Sequence, residues 1–206
     1  MSEFRMEYDG DRLVIEKESL SNLDELVLSF VDILDSEGVD YVLVAGYVAI
    51  LVGRSRSTED IDVLIEPLDE GRTDALADAL VDAGFWGVEE PLDAMYDRFS
   101  DGLATRVAPR GGAIPNFEVK PPRTEYDRRS LRGAVTAEFA GNAVRISPLE
   151  LQIAFKLYLG AEKDFEDAAH LYFALGESLD TDRLESYVDE LDVTDAYDRL
   201  RGLRDD

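Results

Sequence analysis

The chain has 206 residues, with 46 acidic against 21 basic side chains for a net charge of −25, yet 45% of it is hydrophobic. That apolar content excludes the disordered acidic class, which cannot bury enough surface to fold, and the acidity argues against DNA binding through basic patches. The lack of cysteine excludes a disulfide framework, a zinc ribbon and a thiol nucleophile.

Neither a signal peptide nor a run of ~18 apolar residues is found, so the chain is expected to be cytoplasmic, with no membrane and no sequence-specific DNA partner. Only four of the basic residues are lysines (Lys17, Lys120, Lys156 and Lys163), and the rest are arginines. A folded protein with a strongly acidic, solvated surface fits this composition, as in a halophilic organism with molar intracellular salt. At 1 M salt the Debye length is ~3 Å, which makes self-repulsion on this scale tolerable. The length suits one domain, or one domain with a helical appendage.

Arg12 to Glu16 alternates as a short edge strand or an ordered arm would. Ser19 to Glu37 carries Leu23, Leu26, Val27, Phe30, Ile33 and Leu34 at helical spacing and stops at Gly38, which predicts a core helix. Tyr41 to Ala45 reads as a buried strand, Gly46 as a turn and Tyr47 to Val52 as a short apolar helix. A polar Gly/Arg/Ser/Thr loop follows, then a strand carrying Asp60-Ile61-Asp62. Alternation puts Asp60, Asp62 and Leu64 on one face and Ile61, Val63 and Ile65 on the other. Two carboxylates are thus left side by side, next to a loop of backbone N–H donors, hydroxyls and arginines. That is the chemistry of a divalent-metal site facing a phosphate site.

An apolar-Gly-Gly/Ser turn, about a dozen residues, then Asp-x-Asp in an apolar strand resembles the nucleotidyltransferase superfamily of the DNA polymerase β type. The likeness extends to the minimal members of toxin–antitoxin and abortive-infection systems. Here Val44-Ala45-Gly46 and Asp60-Ile61-Asp62-Val63 stand at the two motifs, with Ala45 replacing the first glycine. The resemblance implies a small mixed sheet with flanking helices, an α/β (α+β) nucleotidyltransferase fold. It also implies two Mg²⁺ (or Mn²⁺) ions as cofactor, bound by Asp60 and Asp62, and an NTP as substrate with its triphosphate lined by Gly46, Arg54, Arg56, Ser57 and Thr58.

Beyond Glu66-Pro67, a helix is predicted from Asp69 to Ala83, a strand over Phe85 to Val88, a short helix over Leu92 to Phe99 and a strand over Leu103 to Val107. Arg110-Gly111-Gly112 reads as a hairpin turn or as a phosphate loop. In Asn116 to Lys120, Phe117 and Val119 face one way and Asn116, Glu118 and Lys120 the other. Two readings of Glu118 stand. The resemblance makes it the third carboxylate, completing the metal shell or taking the acceptor's proton; otherwise it is a solvent-facing residue paired with Lys120 on an edge strand.

Pro121 to Arg129 reads as a loop or short helix, and Ala134 to Ile146 as a hairpin around Gly141-Asn142. Ser147-Pro148-Leu149-Glu150 predicts a helix start, with Ser147 as N-cap, Pro148 first in the helix and Glu150 in the capping box. The helix from Pro148 to Leu159 places Lys156 on the face of Leu149 and Ile153, where an ammonium is costly unless it finds an acidic partner. The segment that follows, with Asp164 and Asp167, resembles the second half of the abortive-infection enzymes. There Lys156 would hold nucleotide phosphates, and Asp164 or Asp167 would orient it; a purely structural ion pair between two packed helices is the alternative. His170, the single histidine, reads as a packing or capping residue. Two amphipathic helices, Asp180 to Leu191 and Thr194 to Leu203, complete a C-terminal helical layer.

The expected organisation is a nucleotidyltransferase core over 1–146 and a helical subdomain over 147–206. The expected function is transfer of an NMP from an NTP to an acceptor hydroxyl on a protein, a tRNA end or a small molecule, with a toxin or antitoxin as the partner the resemblance implies. The rival is a catalytically silent binding module of the same fold that pairs with a protein partner.

Overall fold

The computed structural model describes residues 5–203; the outermost residues of both expected parts lie outside that range. Among the described residues, nine strands form one mixed sheet: β1 (Met6–Tyr8), β2 (Arg12–Ile15), β3 (Tyr41–Val44), β4 (Asp60–Ile65), β5 (Phe85–Gly87), β6 (Thr105–Pro109), β7 (Asn116–Lys120), β8 (Val135–Phe139) and β9 (Asn142–Ile146). Their order across the sheet is β1-β2-β8-β9-β3-β4-β7-β6-β5. The sheet is mixed as expected but wider, because the N-terminal arm pairs in parallel with β8 and so extends it. β3 and β4 run antiparallel, with Val44 opposite Asp62. β4 and β7 run parallel, with Asp62 opposite Glu118. Those two registers set the site.

One face of the central strands is apolar. Ile61, Val63 and Ile65 of β4 and Phe117 and Val119 of β7 are completely buried. Helix α1 (Asn22–Ser36) packs on this face, with the Phe30 ring stacked on Phe117 at a centroid separation of 3.9 Å and edge-on to Phe85 at 5.5 Å. The start of α1 is fixed by a capping box. Ser21 Oγ accepts the Asp24 amide, and the Asp24 carboxylate accepts the Ser21 amide at 2.7 Å. Asp24 is buried there, paired with Lys17 and accepting the Tyr47 hydroxyl at 3.1 Å. Burial pushes its carboxyl up, but Lys17 and the Ser21 donors outweigh that and hold it below the ordinary value of 3.8. Helix α2 (Gly46–Leu51) follows β3, and α3 (Glu70–Asp82) and the short α4 (Met95–Ser100) lie between β4 and β6 in the chain.

The opposite, polar face of β4 and β7 is roofed by helices from the second half of the chain: α5 (Glu125–Arg132), α6 (Leu149–Leu159) and α7 (Glu162–Leu175). Further out, α8 (Thr181–Glu190) and α9 (Thr194–Gly202) complete the helical layer. The expected start of α6 is corrected. Pro148 itself is the N-cap, with no side-chain cap bond, and Ser147 Oγ is instead 3.0 Å from Ser130 Oγ of α5. Glu150 does not close a capping box either. It is fully buried and accepts the Tyr8 hydroxyl at 3.0 Å and the Asp180 amide at 3.1 Å, tying the N-terminal arm to α8. Pro at the N-cap lacks a side-chain acceptor, so Glu150 is used for the longer-range tie.

No helix among the described residues is long and apolar enough to cross a membrane.

Candidate active site

The polar face of β4 and β7 and its helical roof enclose a cleft of about 630 Å³. Strand alternation places Asp60 and Asp62 at its floor, and the parallel register brings Glu118 alongside Asp62. β7 lies between β4 and β6, so the expectation of an edge strand is corrected: Glu118 is on an interior strand. Its pairing with Lys120 is real, however, and it occurs inside the cleft. The Lys120 ammonium is 3.1 Å from Glu118 Oε1 and 3.1 Å from Asp62 Oδ1. Asp60 Oδ1 accepts the Asn116 amide at 2.8 Å. Burial pushes the Asp62 carboxyl above its ordinary value, Glu118 and Asp60 push it further, and Lys120 pulls it back only in part.

The three-oxygen donor set expected for a divalent ion therefore faces one cleft, and its all-carboxylate chemistry suits a hard cation such as Mg²⁺. Lys120 already shows that oxygens of Asp62 and Glu118 share one positive charge. Among the described residues, no three acidic or imidazole side chains converge as a preformed ligand cluster.

The turn before α2 is strained. Ala45 has φ 58° and ψ −123°, a conformation natural to glycine, which stands here in the family that the sequence resembles. Its carbonyl accepts the Gln152 side-chain amide of α6 at 3.1 Å, which holds the turn in place. A β-carbon added at Gly46 would collide with the Arg56 guanidinium, so a larger residue there would have to displace that side chain. Ala45→Gly is expected to stabilise the protein by about 1 kcal/mol. The relieved strain of ~1–3 kcal/mol exceeds the extra chain entropy of a glycine. Urea denaturation checks this, and an unchanged or lower midpoint would show that the turn carries no such strain.

Of the expected phosphate-loop residues, Gly46, Arg56 and Thr58 reach the cleft, whereas Arg54 and Ser57 are not part of its wall. Arg54 turns away to Asp167 Oδ1 at 2.8 Å and Glu166 Oε2 at 2.6 Å. Thr58 donates its hydroxyl to the Asp60 carbonyl at 2.7 Å, bracing the entry to β4. Lys156 is 2% exposed and bonds to Asp164 Oδ1 at 2.8 Å and Asp167 Oδ2 at 2.7 Å. Arg56 reaches the same Asp167 Oδ2 at 3.2 Å. Asp167 thus gathers three cations, while Asp164 lies between the buried network and the cleft wall. His170 bonds to the Val52 carbonyl at 3.1 Å beyond the end of α2, a capping contact.

Pro121 to Arg129 reads from the sequence as a loop or short helix; the helix forms as α5, Glu125–Arg132, but sequence reasoning missed what this segment supplies to the cleft. Arg123, Tyr126 and Asp127 line the cleft together with Phe155 and Lys163, and the Tyr126 ring lies 6.0 Å from that of Phe155. The signal was present in Thr124-Glu125-Tyr126-Asp127, where Thr124 Oγ1 accepts the Asp127 amide and Asp127 accepts the Thr124 amide. Arg110-Gly111-Gly112 lies in the turn between the antiparallel strands β6 and β7, away from the cleft.

No protein-family profile matches the chain. No curated relative matches it either. Solved structures do. An antigenic nucleotidyltransferase-like protein from Paracoccidioides brasiliensis is 21% identical, with a TM-score of 0.51 over 86% of this chain and 91% of its own. The antibiotic-resistance factor ANT(2'')-Ia in solution is 17% identical, with a TM-score of 0.55 over 87% of this chain and 95% of its own. In its crystal complex with adenylyl-2''-tobramycin it superposes at 0.57, again with 17% identity, over 83% of this chain and 97% of its own. The strand order, the paired carboxylates on β4 and these superpositions together establish that the chain has the nucleotidyltransferase fold.

Proposed function

We propose that the protein transfers a nucleoside monophosphate from an NTP to an acceptor hydroxyl. One observation carries this reading. In a chain of net charge −25 the cleft in front of Asp60 and Asp62 is charge-balanced, with Asp60, Asp62, Glu118, Asp127 and Asp164 facing Arg56, Lys120, Arg123, Lys156 and Lys163. Three of the four lysines of the sequence are in that one wall. Such a concentration of cations beside a carboxylate floor suits a polyanion bound together with a divalent ion.

Asp60 and Asp62 would hold the Mg²⁺, with Glu118 reaching it from the neighbouring strand. When bound, the ion neutralises charge on the phosphate oxygens and on the attacking and leaving oxygens. The acceptor oxygen attacks the α-phosphorus, the bond to the β-phosphate oxygen breaks, and pyrophosphate leaves with that electron pair. Glu118 takes the acceptor's proton. Lys156, held by Asp164 and Asp167, would balance charge on the α-phosphate or the leaving group, and Arg56, Thr58 and Gly46 would line the phosphates.

The balanced cleft also bears on the acceptor. A polycationic sugar of the kind named with ANT(2'')-Ia calls for a net acidic wall, which this cleft lacks. A neutral or anionic acceptor hydroxyl fits better. We place the protein in the cytoplasm, in molar salt, and in a toxin–antitoxin or abortive-infection pair, the last on the sequence resemblance. We also propose that the chain divides functionally at 146/147, with the helical part forming the roof of the nucleotide site together with α5 of the core.

The test is incubation of the purified protein with each α-³²P-labelled NTP, Mg²⁺ and cell extract in molar KCl. Label transferred to a macromolecule or small molecule by wild type, and not by Asp60→Ala/Asp62→Ala, supports the reading. Absence of both transfer and metal-dependent NTP binding leaves the silent binding module.

A further inference from the structure

The carboxylates of the cleft floor are not left to repel one another. Lys120 sits two residues along β7 from Glu118 and places its ammonium 3.1 Å from oxygens of both Asp62 and Glu118. That is where a cation shared between β4 and β7 must sit. An ammonium and a divalent ion at one pair of oxygens compete for the same lone pairs and repel each other. The residue type matters as well. This chain carries four lysines among 21 basic residues, and a lysine's flexible stem can withdraw from a carboxylate where an arginine fork is harder to disengage. The Lys120 side chain is 29% exposed and lines the same cleft as Arg56, Lys156 and Lys163, the side chains suited to a bound triphosphate.

We propose that Lys120 is an internal counter-cation that exchanges with the divalent ion, and that this exchange couples metal binding to nucleotide binding. The inference rests on the metal-and-nucleotide reading given above. Without nucleotide, a metal that displaces Lys120 leaves an ammonium in a half-buried cleft with no anion of its own. With nucleotide present, the phosphates receive it and the carboxylates are free for the metal. By linkage, the factor by which nucleotide tightens metal is the factor by which metal tightens nucleotide. Lys120 acts through Asp62 and Glu118 and is a positioning residue.

The test is titration with Mn²⁺ followed by electron paramagnetic resonance, with and without a non-hydrolysable NTP analogue, on wild type, Lys120→Met and Lys120→Gln. Lys120→Met keeps an unbranched apolar stem without the charge, and Lys120→Gln serves if it fails to fold. Without nucleotide, the neutral variants are expected to bind Mn²⁺ about tenfold more tightly than wild type, and to lose a similar factor of the nucleotide dependence. Wild-type Mn²⁺ affinity and undiminished coupling in both variants would overturn the exchange and leave the metal reading standing. No Mn²⁺ binding by any form, even with the analogue, overturns both.

Discussion

Asp62→Asn is expected to lower nucleotidyl transfer by ~10³-fold or more while leaving the melting temperature unchanged or slightly raised. The two halves of this result have one cause. Burial, then Glu118 and Asp60, push the Asp62 carboxyl above its ordinary value despite Lys120. A carboxyl with a raised folded value binds a proton more readily in the native than in the unfolded chain. Its contribution to stability therefore falls as pH rises above about 3.8, and its charge is a cost at neutral pH. Removing that charge relieves the fold of this cost but takes from Lys120 the strongest of its charge partners, so the two effects largely offset. The substitution also removes an oxygen from the metal donor set, so charge developing at the α-phosphate is no longer compensated. Glu118 keeps Lys120 in place at 3.1 Å, so the floor of the cleft is not left with a stranded ammonium. The measurements are initial rates with labelled NTP and a thermal melt of the same preparation. Transfer within tenfold of wild type would remove Asp62 from the site. A fall of several degrees in melting temperature would make the carboxylate a structural element.

The part of the site that was legible in the sequence is the part that obeys local periodicity. Asp60 and Asp62 follow from strand alternation, and so does the burial of Ile61 and Val63 on the other face. Lys156 announced itself as a charge on an apolar helical face, and its partners Asp164 and Asp167 lie on the next helix, α7. What the sequence leaves open depends on register and on long-range contact. Nothing local says that β7 runs parallel to β4, which turns the Glu118–Lys120 pair from a surface feature into the cleft floor. Nothing local says that Arg54 leaves the phosphate loop for α7, since a buried carboxylate 113 residues later draws it there. Arg123 and Tyr126 could have been found, because the Thr124 to Asp127 capping signature marks a helix that carries Tyr126 and that Arg123 directly precedes. The width of the sheet could not, because the pairing of the N-terminal arm with β8 spans most of the chain.

Asp167→Ala is expected to destabilise the protein by about 3–5 kcal/mol, the largest stability effect of any site residue. Asp167 is fully buried and takes Arg54 on one oxygen at 2.8 Å, and Lys156 and Arg56 on the other at 2.7 and 3.2 Å. Such a network adds little over an apolar one of the same shape, but losing one partner leaves uncompensated charge in a dry environment. The partners differ in what remains to them. Lys156 keeps Asp164, and Arg54 keeps Glu166, whereas Arg56 loses its single carboxylate among the described residues. Arg56 is also the group that packs on Gly46, so its release loosens the turn that ends in α2 as well as the loop before β4. Asp167→Asn, which keeps the volume and two hydrogen-bonding atoms, is expected to lose less than the alanine variant. Lys156→Ala leaves Asp167 with two arginines, so it is expected to cost less stability and to weaken nucleotide binding more. Urea midpoints for the three variants, taken at one salt concentration, measure the order. A loss under ~1 kcal/mol for Asp167→Ala would mean that water reaches all three cations, and α7 would then be joined to the loop by packing alone.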